Sequence, residues 1–179
     1  IDGGGGTDTV VYSEKTVAVV LALNGAGDAK ATVGGVVEDT VRNVENIIGG
    51  SGADVLSGDS FDNAISGGDG DDVLVGLAGK DVLDGGAGTD TAVYSDKVVS
   101  VVVTLAGGAD AVVKVNGLNE DILRSIENVT GGSGDDELTG DGFANVLDGG
   151  LGDDILAGAG GADTIDGGAG RDTALFTDE

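Results

Sequence analysis

Aspartate recurs along this chain at nine-residue intervals, each time behind a glycine-rich stretch. Asp54, Asp72, Asp81 and Asp90 form one series and Asp136, Asp154, Asp163 and Asp172 a second, with Asn63 and Asn145 filling the gap in each. Asp8 stands in the same setting near the start of the chain. Carboxylates at fixed spacing suit a hard divalent cation, because calcium takes six to eight oxygens at about 2.3–2.6 Å from carboxylates and backbone carbonyls. The chain has no His and no Cys. That removes the usual zinc sites and the Ser-His and Cys-His nucleophile systems, and it leaves no disulfide framework.

The acids sit at position six of a unit with the pattern Gly-Gly-x-Gly-x-Asp-x-apolar-x. Ten such units fall in two unbroken runs of five, starting at Gly49, Gly58, Gly67, Gly76 and Gly85, and at Gly131, Gly140, Gly149, Gly158 and Gly167. A fixed short period of this kind means stacked units, each supplying a strand and a turn. A longer period encloses them: Gly3 to Asp84 aligns without a gap on Gly85 to Asp166, 82 residues on. The chain is therefore two tandem modules and the opening of a third. Because it begins without Met and stops in mid-module at Glu179, it is expected to be an excerpt from a longer array.

Six residues of each unit form the turn and three the strand. The eighth position is apolar: Leu56, Ile65, Leu74 and Leu83, then Leu138, Leu147, Leu156 and Ile165. One inward side chain per strand cannot make a core, so two units should form one coil, with strands in two parallel sheets and the Leu/Ile side chains meeting between them. An eighteen-residue coil brings every second turn to the same edge. Neighbouring strands lie about 4.8 Å apart, so carboxylates one coil apart can converge on one ion. The pairs predicted are Asp54/Asp72, Asp72/Asp90 and Asn63/Asp81, then Asp136/Asp154, Asp154/Asp172 and Asn145/Asp163. Asn supplies only a neutral oxygen, so its two sites should be weaker or rebuilt around Asp59 and Asp141. Phe61 and Phe143, which replace the third glycine of those units, are expected to pack over an end of the core.

Thirty-three acidic against eight basic residues leave a net charge of -25. Such a chain repels nucleic acid and anionic membranes, and its longest strongly apolar stretches, Thr16 to Leu23 and Val98 to Leu105, fall far short of the roughly 20 residues that span a bilayer. Thirty-seven glycines burden the fold, each costing roughly 0.5–1 kcal/mol relative to Ala in regular structure. Five aromatic residues offer little to offset that. Bound ions can: one that binds only the folded state contributes about 2.7 kcal/mol at a hundredfold excess over its Kd.

Between the runs the texture changes. Residues 12–48 and 94–130 each read as a valine-rich strand, a polar turn (Asn24 to Asp28; Ala106 to Asp110) and a further short strand. In the stretch from Glu38 to Ile47, the spacing of Val37, Val41, Val44 and Ile48 predicts one or two helical turns. Asn46 and Asn128 would then be C-caps. The resulting division is 1–11, the end of a preceding roll; 12–48, linking strands and short helix; 49–93, first roll; 94–130, linking strands and short helix; 131–175, second roll; 176–179, the start of another linking segment.

The nonapeptides, with the DTxVYS and ENVxGGSG-type sequences framing them, resemble the repeats-in-toxin (RTX) family of secreted bacterial proteins across essentially the whole chain. The resemblance implies an all-β, right-handed parallel β-roll with Ca2+ between successive turns. It makes the ligands the sixth-position side chains together with turn carbonyls, here those of Gly50, Gly52, Gly68, Gly70, Gly86 and Gly88, and of Gly132, Gly134, Gly150, Gly152, Gly168 and Gly170. About four well-formed sites and two weaker ones follow. The resemblance also implies type I export in the unfolded state and folding outside the cell. The function expected is non-catalytic: a calcium-stabilised spacer in an adhesin, surface layer or filament, whose partners are calcium ions and neighbouring copies. The alternative is an accessory module of a secreted hydrolase or polysaccharide-modifying enzyme.

Overall fold

The computed structural model describes residues 1–176, so the expected linking segment at 176–179 lies, beyond Phe176, outside the described residues. The chain divides into two units, Ile1–Asp90 and Thr91–Glu179. Among the described residues there are strands and no helix, hence no helix long and apolar enough to cross a membrane.

In the first unit the strands are β1 (Thr9–Val11), β2 (Val19–Ala22), β3 (Ala29–Val33), β4 (Val36–Val41), β5 (Asn46–Ile48), β6 (Val55–Ser57), β7 (Ala64–Asp69), β8 (Val73–Val75) and β9 (Val82–Ala87). Two parallel stacks arise, with eighteen residues to a coil within the regular run and the linking segment forming the longer coils before it. In one, β1, β5, β7 and β9 align Val10, Ile47, Ile65 and Leu83. In the other, β2, β6 and β8 align Leu21, Leu56 and Leu74. All seven side chains are buried, and burying one such side chain contributes about 1.5–3 kcal/mol.

The second unit repeats the plan with β10 (Thr91–Val93), β11 (Val101–Thr104), β12 (Ala111–Val115), β13 (Leu118–Arg124), β14 (Asn128–Thr130), β15 (Glu137–Thr139), β16 (Val146–Asp148), β17 (Ile155–Ala157), β18 (Thr164–Asp166) and β19 (Thr173–Leu175). Ala92, Val129, Leu147 and Ile165 align in one stack, and Val103, Leu138, Leu156 and Ala174 in the other. The fold is thus an all-β parallel β-roll whose inward rows are the eighth-position residues of the repeat.

The expected helical turn is a strand. β4 pairs antiparallel with β3, and β13 with β12. What overrides the helical spacing is turn chemistry upstream. Gly34 and Gly35 have φ of 57° and 81°, and Asn116 and Gly117 have 51° and 77°. Two successive residues with positive φ make the tight turn that suits a two-residue β-hairpin, for which Gly-Gly and Asn-Gly are the favoured pairs. Once the hairpin forms, β4 runs from an exposed Val37 to a buried Val41, with a shift of register between Ala31 and Thr32 of β3 on the way. Asn46 and Asn128 accordingly cap no helix. They open β5 and β14, and their Oδ1 atoms accept the main-chain N–H of Ala64 (2.9 Å) and Val146 (2.8 Å), one coil on.

Both hairpins are fastened to the preceding turn by an ion pair, Lys15 to Glu38 and Lys97 to Glu120. β2 and β11 are rungs of the roll, paired parallel to the first strand of each regular run, β6 and β15. The segments between the runs therefore build part of the core.

Candidate metal centre

The turns that carry the acids are shaped by glycine. In the regular turns Gly68, Gly70, Gly86 and Gly88, and likewise Gly150, Gly152, Gly168 and Gly170, have positive φ, a region L side chains rarely enter. Space is as restrictive as conformation: a Cβ on Gly68 would lie 2.2 Å from the Gly50 carbonyl oxygen, and one on Gly86 2.1 Å from that of Gly68. Turn carbonyls are thus stacked coil upon coil along one edge. Gly50, Gly52, Gly132 and Gly134 are placed differently. They lie outside the left-handed region and against the backbone of residues 15–18 and 97–100, with a Cβ on Gly50 falling 2.3 Å from the Lys15 carbonyl oxygen and one on Gly132 2.4 Å from that of Lys97. The first turn of each run stacks on the linking segment.

The sixth-position carboxylates are drawn inward beneath these turns. Asp54, Asp72, Asp81, Asp90, Asp136 and Asp154 are buried, whereas Asp8 and Asp163 are half-buried and Asp172 is exposed. All but Asp8 reach back along the roll. Asp72 Oδ1 accepts the Asp54 N–H at 2.7 Å, and Asp90 Oδ1 the Asp72 N–H at 2.8 Å. Asp154 Oδ1 accepts the Asp136 N–H at 2.8 Å, and Asp172 Oδ1 the Asp154 N–H at 3.1 Å. On the opposite edge Asp81 and Asp163 accept from Asn63 and Asn145.

In the first carboxylate of each run each oxygen accepts one N–H, which leaves a lone pair on each. Asp54 takes Val19 and Gly50, and Asp136 takes Val101 and Gly132. Elsewhere one oxygen is left over. Asp8 Oδ2, Asp72 Oδ2 and Asp154 Oδ2 are buried with no hydrogen-bond partner. A buried anionic oxygen without a donor is costly, so each marks where something positive belongs.

Carbonyl oxygens stand beside those atoms. The position of a Cβ on Gly67 is 2.1 Å from Asp72 Oδ2 and 2.7 Å from the Gly85 carbonyl oxygen; on Gly149 it is 2.4 Å from Asp154 Oδ2 and 2.8 Å from that of Gly167. Among the described residues no three acidic side chains gather at one point, so an ion here would take most of its ligands from the main chain, as calcium readily does. The donor set fits such an ion.

The electrostatics agree. Burial, then the charges of Asp54, Asp71 and Asp69, push the Asp72 carboxyl up to about 6 against the opposing pull of its backbone hydrogen bond. Burial likewise raises Asp136 and Asp154, with Asp154 acting on the former and Asp172 on the latter. A divalent cation between coils would relieve the desolvation and the mutual repulsion together.

The asparagines are arranged otherwise. Asn63 Oδ1 accepts the Asp59 N–H at 2.8 Å while its Nδ2 donates to the Glu45 carbonyl at 2.7 Å. Asn145 does the same with Asp141 (2.8 Å) and Glu127 (2.8 Å). Asp59 is engaged elsewhere, accepting from Gly25 and Phe61 at 2.9 Å each. Phe61 and Phe143 do not cover the core: they are 58% and 67% exposed, each with a ring edge against the Gly25 or Gly107 turn. The Asx turn at Asp59 and Asp141 directs the chain outward at this point, with Asp141 Oδ1 accepting the Phe143 N–H at 2.8 Å.

A second ladder escaped the sequence reading. Fifth-position aspartates accept main-chain N–H groups one coil on: Asp62 from Lys80 and Asp71 from Thr89, Asp135 from Asp153 and Asp153 from Arg171, at 2.8–2.9 Å. The Asp-Asp doublets at 71–72, 135–136 and 153–154 were its visible sign. One acid of each doublet faces the interior and the other staples the outside.

A roll of stacked eighteen-residue coils, with inward carboxylates beside main-chain carbonyls, defines a metal-binding β-solenoid. Comparison with known families gives the class a name. The family described as the RTX calcium-binding nonapeptide repeat (4 copies) matches residues 44–60, 57–92, 126–142, 130–165 and 139–174, together more than half of the chain. The chain belongs to this family, and its repeats form a calcium-binding module. Comparison with curated proteins finds none that matches.

Proposed function

We propose that this chain is a calcium-dependent structural array: a spacer or scaffold of a secreted bacterial protein, serving in an adhesin, surface layer or filament. Its ions would sit between coils, held by the carboxylates of Asp8, Asp54, Asp72, Asp81 and Asp90 and of Asp136, Asp154, Asp163 and Asp172 with adjacent turn carbonyls. The observation that carries the reading is the buried, donorless Oδ2 of Asp72 and of Asp154 at equivalent places in two successive 82-residue modules. Both modules repeat the same apparatus. Tandem copies of one module extend reach or tile a surface, since each adds the same rungs to a quasi-one-dimensional stack.

Calcium supply would then govern folding. At low free calcium the buried carboxylates and the charge of -25 oppose compaction; in an external medium rich in calcium the ions stabilise the roll by mass action. Circular dichroism in millimolar calcium and in excess chelator tests this directly. The expected result is a cooperative β-sheet melt that disappears in chelator. An identical spectrum and Tm in both media would overturn it.

A further inference from the structure

The asparagines at 63 and 145 occupy the sixth position of the second unit in each run, where the other units carry aspartate. What differs is the group facing them one coil earlier. Asp72, Asp81 and Asp90 each meet a main-chain N–H, those of Asp54, Asn63 and Asp72. Asn63 meets a carbonyl: the Glu45 N–H is turned away to Asp8 O, at 3.1 Å, and Glu45 O receives the Asn63 Nδ2 proton. Asn145 and Glu127 repeat the arrangement in the second module. A side chain in this place must donate toward the preceding coil and accept from residue 59 or 141. The amide does both from two separate atoms, which an ionised carboxylate, an acceptor only, does not. Turning the amide over would set oxygen against oxygen and N–H against N–H, so the orientation is fixed by its neighbours.

We propose that Asn63 and Asn145 are ion-excluding positions, whose buried amide nitrogen takes the carbonyl that a cation would otherwise need, so that the ion row on this edge begins at Asp81 and at Asp163. The proposal rests on the reading that the aspartates hold calcium. Both amides are shut from solvent, at 3% and 1% exposure, and an –NH2 group aimed at Glu45 O or Glu127 O offers an ion no lone pair. Aspartate in the same place would confront a carbonyl with a carboxylate, two acceptors with no proton between them, an arrangement that calls for a cation. The choice of Asn or Asp at position six thus sets where the row starts.

Counting bound calcium on the whole chain by equilibrium dialysis in millimolar calcium, for the native protein and for Asn63→Ala, Asn63→Asp and Asp72→Ala, tests the assignment. Asn63→Ala should bind as many ions as the native chain despite a lower Tm, and Asn63→Asp should bind one more. Loss of an ion in Asn63→Ala, or no gain in Asn63→Asp, overturns the proposal. Asp72→Ala should bind fewer ions; if its count is unchanged, the reading of the aspartate rows fails instead, independently of the asparagine result. Should Asn63→Ala not fold, the native protein in calcium decides by NMR. Side-chain amide protons of Asn63 and Asn145 that resist solvent exchange support the proposal, and freely exchanging ones overturn it.

Discussion

Asp72 accepts the main-chain N–H of Asp54, eighteen residues earlier, through Oδ1 at 2.7 Å, and its Oδ2 is buried with no donor. One side chain thereby serves two purposes, locking the register of adjacent coils and exposing an anionic oxygen to the space between them.

Replacing Asp72 should therefore damage both. Asp72→Ala leaves the buried Asp54 N–H without its acceptor, a loss of about 1–3 kcal/mol. It also removes a carboxylate flanked by Asp54 on one side and Asp90 on the other. Asp81 is preceded on its edge by Asn63 rather than by a carboxylate. Isothermal titration calorimetry should show Asp72→Ala losing two ions and Asp81→Ala one. Equal losses would sink the assigned pairing of edges.

Protons should partly replace calcium. The Asp72 carboxyl is raised to about 6, chiefly by burial, and Asp136 and Asp154 are raised in the same direction. A carboxyl that is a weaker acid when folded than when unfolded makes the folded state the better proton binder. Its contribution to stability is full at low pH and is lost as pH rises from the ordinary aspartate range through about 6. In excess chelator, acidifying from pH 7 to 5 should restore part of the β-sheet signal. At fixed calcium, the same acidification should weaken apparent calcium affinity, because protons and ions compete for the same oxygens. A chelator-treated chain whose spectrum does not change across that range would contradict the burial of these groups.

The nonapeptide made the roll legible. Position eight gave the inward rows, and an eighteen-residue coil followed from the need for two apolar faces; the pairing of Leu56 with Leu74 and of Ile65 with Leu83 is what that geometry requires. Between the runs the reading went astray for a physical reason. Val37, Val41, Val44 and Ile48 have helical spacing, but Gly34-Gly35 and Asn116-Gly117 are hairpin turns, and local turn chemistry prevailed over a period only four residues deep. Asn63 was illegible in another way. Its role depends on whether residue 45 presents N–H or C=O, which is fixed by the path of the linking segment and leaves no mark on the repeat itself.

Glycines should divide sharply by position. Gly68 has φ of 111°, and a Cβ there would come within 2.2 Å of the Gly50 carbonyl oxygen, so Gly68→Ala must displace backbone. Its cost should exceed the roughly 1–2 kcal/mol of a left-handed residue alone and should be accompanied by weaker calcium binding. Gly108 has open space around it and no left-handed φ, and Gly108→Ala should change Tm little or raise it slightly by restricting the unfolded chain. Thermal melts of the two variants in saturating calcium provide the comparison.

The hairpin in the second linking segment offers a test that does not involve the ions. Gly117 has φ of 77° with nothing within 4 Å of a Cβ, so Gly117→Ala carries conformational strain without a clash, about 1–2 kcal/mol. That strain falls on the junction of β12 and β13, whose inward residues Val113, Val115 and Leu123 are buried, and β12 in turn pairs with β11. Because β11 is the rung on which β15 is laid in parallel register, loosening the hairpin should destabilise the second unit while leaving its turn carbonyls and carboxylates unaltered. Gly117→Ala should therefore lower Tm with the calcium count at saturation unchanged, the reverse of the pattern at Asp72. A drop in bound calcium without a drop in Tm would mean that the hairpin contributes to the metal sites themselves.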